Sequence, residues 1–187
     1  MEVVLWIIVL VGAYLLGSFP TAYYVAKKAS GLDIRQVGSG NVGSTNAVRI
    51  MGLPLGLLVF IADVLKGFIP ALLGGWIGGE AMAILAGLAS LLGHIYPLWL
   101  QFKGGKGVAT ALGVALALFP LLGLLGLATW GVSLLLTDCV AVGSVAAAAA
   151  LGAAVLVTDQ PLPYKIVFGL MALLVIWKHR SNFTSLK

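Results

Sequence analysis

Apolar residues dominate this chain in long runs, broken by three short polar segments. The runs from Val3 to Ala26, Leu53 to Trp76, Ala81 to Leu100, Ala141 to Val157 and Lys165 to Trp177 approach the ~20 residues that cross a bilayer core. Between them, Val108 to Leu136 reads either as one long helix or as two short ones turning near Phe119-Pro120. One helix gives six spans and two give seven. Seven spans place Lys27, Lys28, Arg35, Arg49, Lys103, Lys106, Lys178, Arg180 and Lys187 on one side, the pattern of cytoplasmic loops. The expected fold is therefore all-α, with seven transmembrane helices, the N-terminus outside and the C-terminus cytoplasmic. Gly78-Gly79-Glu80 and Asp159 to Tyr164 become outer loops. Val108 to Phe119 is short for a crossing and is expected to start inside the protein rather than at the lipid surface. Without an internal repeat or a composition break, residues 1–187 read as one domain.

Composition supports this picture. Of 187 residues, 61% are hydrophobic and 9% charged, which excludes a soluble globular domain. The net charge of +5 is accounted for by the cytoplasmic loops, so no nucleic-acid partner is implied. Cys139 stands alone, which excludes an intrachain disulfide and a cysteine metal cage. Glu2 replaces the positive start of a signal peptide and the apolar run after it is too long for one, so it reads as a retained span.

An odd number of spans gathers the three polar segments on one face. The first runs from Gly38 to Arg49 and contains G-x-G-x-x-G at Gly38, Gly40 and Gly43. A dinucleotide site would need a βαβ unit around it, for which membrane helices leave no room. Ser39, Asn41, Thr45 and Asn46 remain, with more hydrogen-bonding capacity than a connector needs. The second follows Gly93-His94 and Pro97 and contains Lys103-Gly104-Gly105-Lys106-Gly107. Glycines that turn N–H groups inward, ahead of a helix start, suit a phosphate, although a basic interhelical turn has the same composition. It is not a Walker A loop, because Gly107 stands where Ser or Thr would hold magnesium and Leu100 where the first Gly belongs. The third is Lys178-His179-Arg180-Ser181-Asn182. Its charges fit a plain stop, while His179 and Asn182 share a face if the helix continues.

Other polar residues are isolated. Asp63 and Lys66 lie mid-span at i, i+3 and read as a mutually neutralising pair. Ser144 sits in a run of small residues that packing alone explains. His94 is either a satisfied helix-end histidine or a ligand contact. Two histidines without clustered carboxylates exclude histidine zinc and two-metal sites, and G-x-S-x-G and His-x-x-x-x-Asp are absent. No metal or cofactor is expected. What the chain offers is cations, backbone amides and hydroxyls, a set that stabilises developing negative charge.

The three segments, Gly38 to Asn46, Gly93-His94 with Pro97 and Phe102 to Thr110, and His179 with Asn182, resemble the motifs of the bacterial acyl-phosphate-dependent glycerol-3-phosphate acyltransferases, the PlsY family. The likeness covers essentially the whole length. It implies transfer of a fatty acyl group from acyl phosphate to the sn-1 hydroxyl of glycerol 3-phosphate, at a cytoplasm-facing site of a bacterial inner-membrane protein. By that resemblance Ser39, Arg49, Lys106, Ser144, His179 and Asn182 carry binding or catalysis. Asn41, Thr45, Asn46, His94, Gly104, Gly105 and Gly107 are expected to help bind substrate. Arg49 and His179 are expected to hold the phosphate of glycerol 3-phosphate, with Ser39 and Asn182 orienting it, and the Gly104–Gly107 nest to hold the acyl phosphate. Beyond the substrates and the bilayer no partner is expected, and the protein is expected to be monomeric. Lys178 stands where the family has Arg, Ser44 replaces a common Ala, and Ser185 precedes Leu186 where the family has Arg-Leu. A small-anion transporter is the rival reading, but its two polar gates are missing from the sparse outer loops.

Overall fold

In the computed structural model, residues 2–184 are described, and every regular element among them is helical. Ser185, Leu186 and Lys187, where the last motif departs from the family, lie outside the described residues. The span expected from Val3 to Ala26 lies within one apolar stretch, Glu2–Ser30, built from two helices, α1 (Glu2–Ser18) and α2 (Thr21–Ser30). The break falls at Phe19-Pro20, because proline lacks the N–H that would continue the ladder. The polar loop that follows delivers α3 (Ser44–Met51), a short helix not anticipated from its glycines and hydroxyls.

The stretch α4 (Leu53–Ile95) is two helical arms separated by non-helical backbone at Gly78 and Gly79. Its apolar extent, Leu53–Leu100, holds 48 residues, about twice what one crossing needs. It is thus a hairpin of two passes hinged at the expected glycines. The second arm ends at Ile95, ahead of Pro97, and a single 3-10 turn covers Leu98–Leu100. The remaining helices are α5 (Val108–Leu118), α6 (Pro120–Thr137), α7 (Val140–Val157), α8 (Leu162–Lys178) and α9 (Arg180–Thr184). Pro120 opens α6, so Val108 to Leu136 is two helices. Helix α8 starts at Leu162, earlier than the loop expected through Tyr164, with Pro163 in its first turn, where a missing N–H costs nothing.

Close packing holds the bundle. A Cβ at Gly17 would strike the Ser90 main chain, and one at Gly93 the α1 main chain, so these two glycines let α1 and α4 touch backbone to backbone. One core joins α4, α5, α7 and α8 through Ile84, Leu91, Val114, Val155 and Phe168. A second joins α2, the first polar loop, α3 and the 3-10 turn through Ala26, Ile34, Val42, Ala47 and Leu100. That second core brings two of the polar segments to one end of the bundle.

Helix α5 is only 11 residues, about 16 Å. Its Thr110 carbonyl lies against Gly67, deep along the first arm of α4. Helix α5 therefore begins inside the bundle, and the loop before it is sunk with it.

Candidate functional site

The first loop is organised by Asn46. Its Nδ2 donates to the carbonyls of Ile34 (3.3 Å), Val37 (3.1 Å) and Asn41 (3.1 Å), and its Oδ1 accepts the Ser39 N–H at 3.0 Å. The side chain is 2% exposed and is spent on shaping the loop, so its part in substrate binding is indirect. Upstream, Asp33 accepts from Arg35 main chain and guanidinium, with the closest pair at 2.6 Å. That hydrogen bonding holds the Asp33 carboxyl down to about 2. The result is an exposed Ser39 on a fixed backbone, with Thr45 and Arg49 exposed one turn apart on α3. The Arg49 guanidinium makes no hydrogen bond or ion pair among the described residues.

The second loop folds back on the helix it leaves. Gly104 N–H donates to Ile95 O and Gly105 N–H to His94 O, each at 3.1 Å. Those two amides serve the orphan carbonyls at the end of α4. The donors that remain are the Lys106 and Gly107 amides and the opening N–H groups of α5, whose first helical bond runs from Ala111 to Gly107 O. Glycine is still required at position 105, where a Cβ would run into the His94 imidazole. His94 itself is buried beneath the loop. Lys103 is exposed, while Lys106 points inward.

The third segment meets the second directly. Lys106 Nζ donates to Asn182 Oδ1, and Lys106 lies close enough to His179 for their charges to interact. Helix α8 stops at Lys178, and the chain turns at His179 before α9. The expected continuous helix face is thus absent. His179 and Asn182 are joined by a turn in which Asn182 N–H donates to His179 O at 2.9 Å. His179 Nδ1 sits 2.8 Å from Val175 O, which makes Nδ1 the protonated nitrogen and leaves Nε2 for the site. Lys178 Nζ lies over the Tyr96 ring at 5.4 Å, and Tyr14 donates to Tyr96 O at 2.8 Å, a brace the sequence did not reveal. Burial, then the neighbouring Lys178 charge, lowers the Lys106 pKa below its ordinary value.

An apolar groove runs between α5, α6, α7 and α8, and its lining takes in Val108, the first residue of α5, and Val175, whose carbonyl accepts from His179. Val108 and Ser144 line it together with Leu112, Trp130 and Phe168. Ser144 Oγ donates to Val140 O at 2.8 Å, which leaves its lone pairs available. An anion held at Lys106 could thus carry an apolar tail along the groove.

A family model described as glycerol-3-phosphate acyltransferase matches residues 7–187. The chain belongs to the glycerol-3-phosphate acyltransferase family. It is 46% identical to the glycerol-3-phosphate acyltransferase of Geobacter metallireducens over 182 residues, covering 97% of this chain and 93% of that one. It is 42% identical to the enzyme of the same name from Synechococcus elongatus, covering 94% and 88%. Crystal structures of PlsY (YgiH), an integral membrane glycerol 3-phosphate acyltransferase, superpose with a TM-score of 0.92 for the glycerol 3-phosphate form and 0.91 for the lysophosphatidic acid form. They are 40% and 39% identical, and each covers 97% of this chain and 91% of its own. Members of this family are thus similar to this chain across the whole bundle, including all three polar segments.

Proposed function

We propose that the protein transfers a fatty acyl group from acyl phosphate to the sn-1 hydroxyl of glycerol 3-phosphate, releasing lysophosphatidic acid and inorganic phosphate. Family membership supports the acceptor and the product. The observation that carries the donor is the succession of two environments along a few residues: Lys106 bonded to Asn182, then Val108 in the lining of an apolar groove. A phosphate with a long acyl tail fits both halves, and a mixed anhydride already carries its leaving group.

In this reading the acyl phosphate group sits against Lys106, His179 Nε2 and the free amides at the start of α5. Its chain lies along the groove past Ser144. Glycerol 3-phosphate reaches the site from water, and Ser39 on the exposed first loop with Thr45 and Arg49 on α3 receive its phosphate. This departs from the expected pairing of His179 and Asn182 with Arg49, because Asn182 bonds Lys106 and the Lys106 charge acts on His179. The C1 hydroxyl oxygen attacks the acyl carbon, the bond from that carbon to the phosphate oxygen breaks, and phosphate leaves with the electron pair. Glycerol 3-phosphate's own phosphate takes the hydroxyl proton, so no protein nucleophile is needed. Lys106 neutralises charge that grows on the leaving phosphate, an interaction strongest in the transition state. The three segments face the cytoplasm of a bacterial inner membrane, crossed seven times from an outer N-terminus, as the basic loops require. No metal or cofactor takes part, and one chain suffices.

The test is donor choice. Purified protein is given labelled glycerol 3-phosphate with palmitoyl phosphate, palmitoyl-CoA or palmitoylated acyl carrier protein. Product from palmitoyl phosphate alone is expected. Product only from a thioester would overturn the donor assignment.

A further inference from the structure

Beneath the second loop lies a buried polar cluster outside the reaction just described. Lys66 Nζ pairs with Asp63 Oδ1 at 2.8 Å and donates to Phe19 O at 3.2 Å. Lys66 thus fastens the α1–α2 break to the middle of α4. Ser90 Oγ donates to the Lys66 carbonyl, and the Thr21 hydroxyl faces Asp63. An ion pair at that depth is costly unless its remaining valences are used.

One valence points toward the active site. His94 Nδ1 lies 3.9 Å from Asp63 Oδ1, beyond a direct hydrogen bond. It is fully buried and has no partner among the described residues, and the same holds for Ser18 Oγ. Both residues edge a small cavity, with Lys66, Val42 and Pro97, that has room for about one water molecule. The opposite nitrogen, His94 Nε2, lies against Gly105 with no space for a Cβ between them.

We propose that one ordered water in this cavity bridges His94 Nδ1 and Ser18 Oγ, beside the Lys66 end of the ion pair. Asp63, Lys66 and His94 then act as positioning residues that set the height of Gly105, and through it of Lys106. The imidazole serves as a spacer. Its outer edge carries the loop, and its inner edge is locked by the water to Ser18, beside an ion pair that also pins α1 and α2. The inference rests on the reading of Lys106 as the donor-phosphate contact.

The experiment measures kcat and KM separately for palmitoyl phosphate and glycerol 3-phosphate, with thermal melting of each purified variant. Ser18→Ala removes one partner of the water and should fold. His94→Asn keeps a polar group at the Nδ1 position and removes the edge beneath Gly105. Lowered kcat/KM for palmitoyl phosphate is expected in both, by about tenfold in His94→Asn, as a small misplacement of a reacting group costs. The KM for glycerol 3-phosphate should stay within about twofold. Ser18→Ala added to His94→Asn should cost nothing further, because Ser18 acts on the loop only through the imidazole. Equal effects on both substrates, loss of thermal stability with unchanged kcat/KM, or additive losses in the double variant would overturn the inference. A high-resolution crystal structure should show density between His94 Nδ1 and Ser18 Oγ, and a dry cavity there would contradict it. Normal turnover of Lys106→Ala would instead sink the reading beneath it, whereas an impaired Lys106→Ala with normal Ser18 and His94 variants sinks this inference alone.

Discussion

Replacing Lys106 with alanine removes an ammonium that the fold holds at a cost. Gly105 and Gly107 on either side are buried, the Lys106 side chain reaches Asn182 Oδ1, and Lys178 adds a second positive charge nearby. Burial and that charge both disfavour the protonated form in the empty site. A doubly charged leaving phosphate reverses the balance, because it supplies the counter-charge that the cluster lacks. The interaction is thus strongest as the acyl–oxygen bond breaks. Loss of a donor aimed at such developing charge costs about 2–4 kcal/mol, or roughly 30- to 900-fold in kcat. The assay is phosphate release from palmitoyl phosphate at saturating glycerol 3-phosphate, with thermal melting to show that the variant folds. A folded Lys106→Ala protein with kcat within about threefold of the parent would refute the assignment, since that change is only about 0.7 kcal/mol.

Gly105→Ala should force the loop off His94 and cost about 1–3 kcal/mol of stability as overpacking, read as a lower melting temperature together with lost activity. Gly169→Ala, whose Cβ would meet nothing within 4 Å, should leave activity unchanged. Asn46→Ala removes the donor and acceptor that shape the first loop. At about 1 kcal/mol net for each of its four hydrogen bonds, thermal melting should register a loss of about 4 kcal/mol, and the KM for glycerol 3-phosphate should rise. Because Lys106 is lowered by burial and by Lys178 and acts when charged, kcat/KM for palmitoyl phosphate should fall as pH rises through its depressed value. Lys178→Met should move that alkaline limb upward, and a limb that stays in place would exclude Lys106 as its source.

The hydrophobic pattern already indicated most of the architecture, because spans, a glycine hinge at 78–79 and a turn at Phe119-Pro120 are written in runs and breakers. It hid the break at Pro20, since apolar residues continue on both sides and only the ring and missing N–H of one residue interrupt the helix. It also hid α3, whose Ser-Thr-Asn opening looks like loop until Ala47 and Asn46 find their burial. The three polar segments could be seen as one site from the sidedness of the charges and from the family resemblance. Which of their atoms remain free could not be read that way. The amides of Gly104 and Gly105 are taken by the helix end, and the Asn46 side chain by its own loop. Both depend on three-dimensional closure of the chain on itself. The roles of Asp63 and Lys66 were legible as a neutral pair, and their link to His94 was not, because it crosses from one arm of α4 to the other.

The central claim is direct transfer from acyl phosphate to glycerol 3-phosphate with no acyl group on the protein. Its most direct measurement is a single-turnover reaction of concentrated enzyme with phosphate-labelled palmitoyl phosphate, sampled with and without glycerol 3-phosphate. Phosphate and lysophosphatidic acid should appear together in equal amounts, and no phosphate should appear without the acceptor. A burst of phosphate in the absence of glycerol 3-phosphate, leaving the acyl group on the protein, would contradict the account.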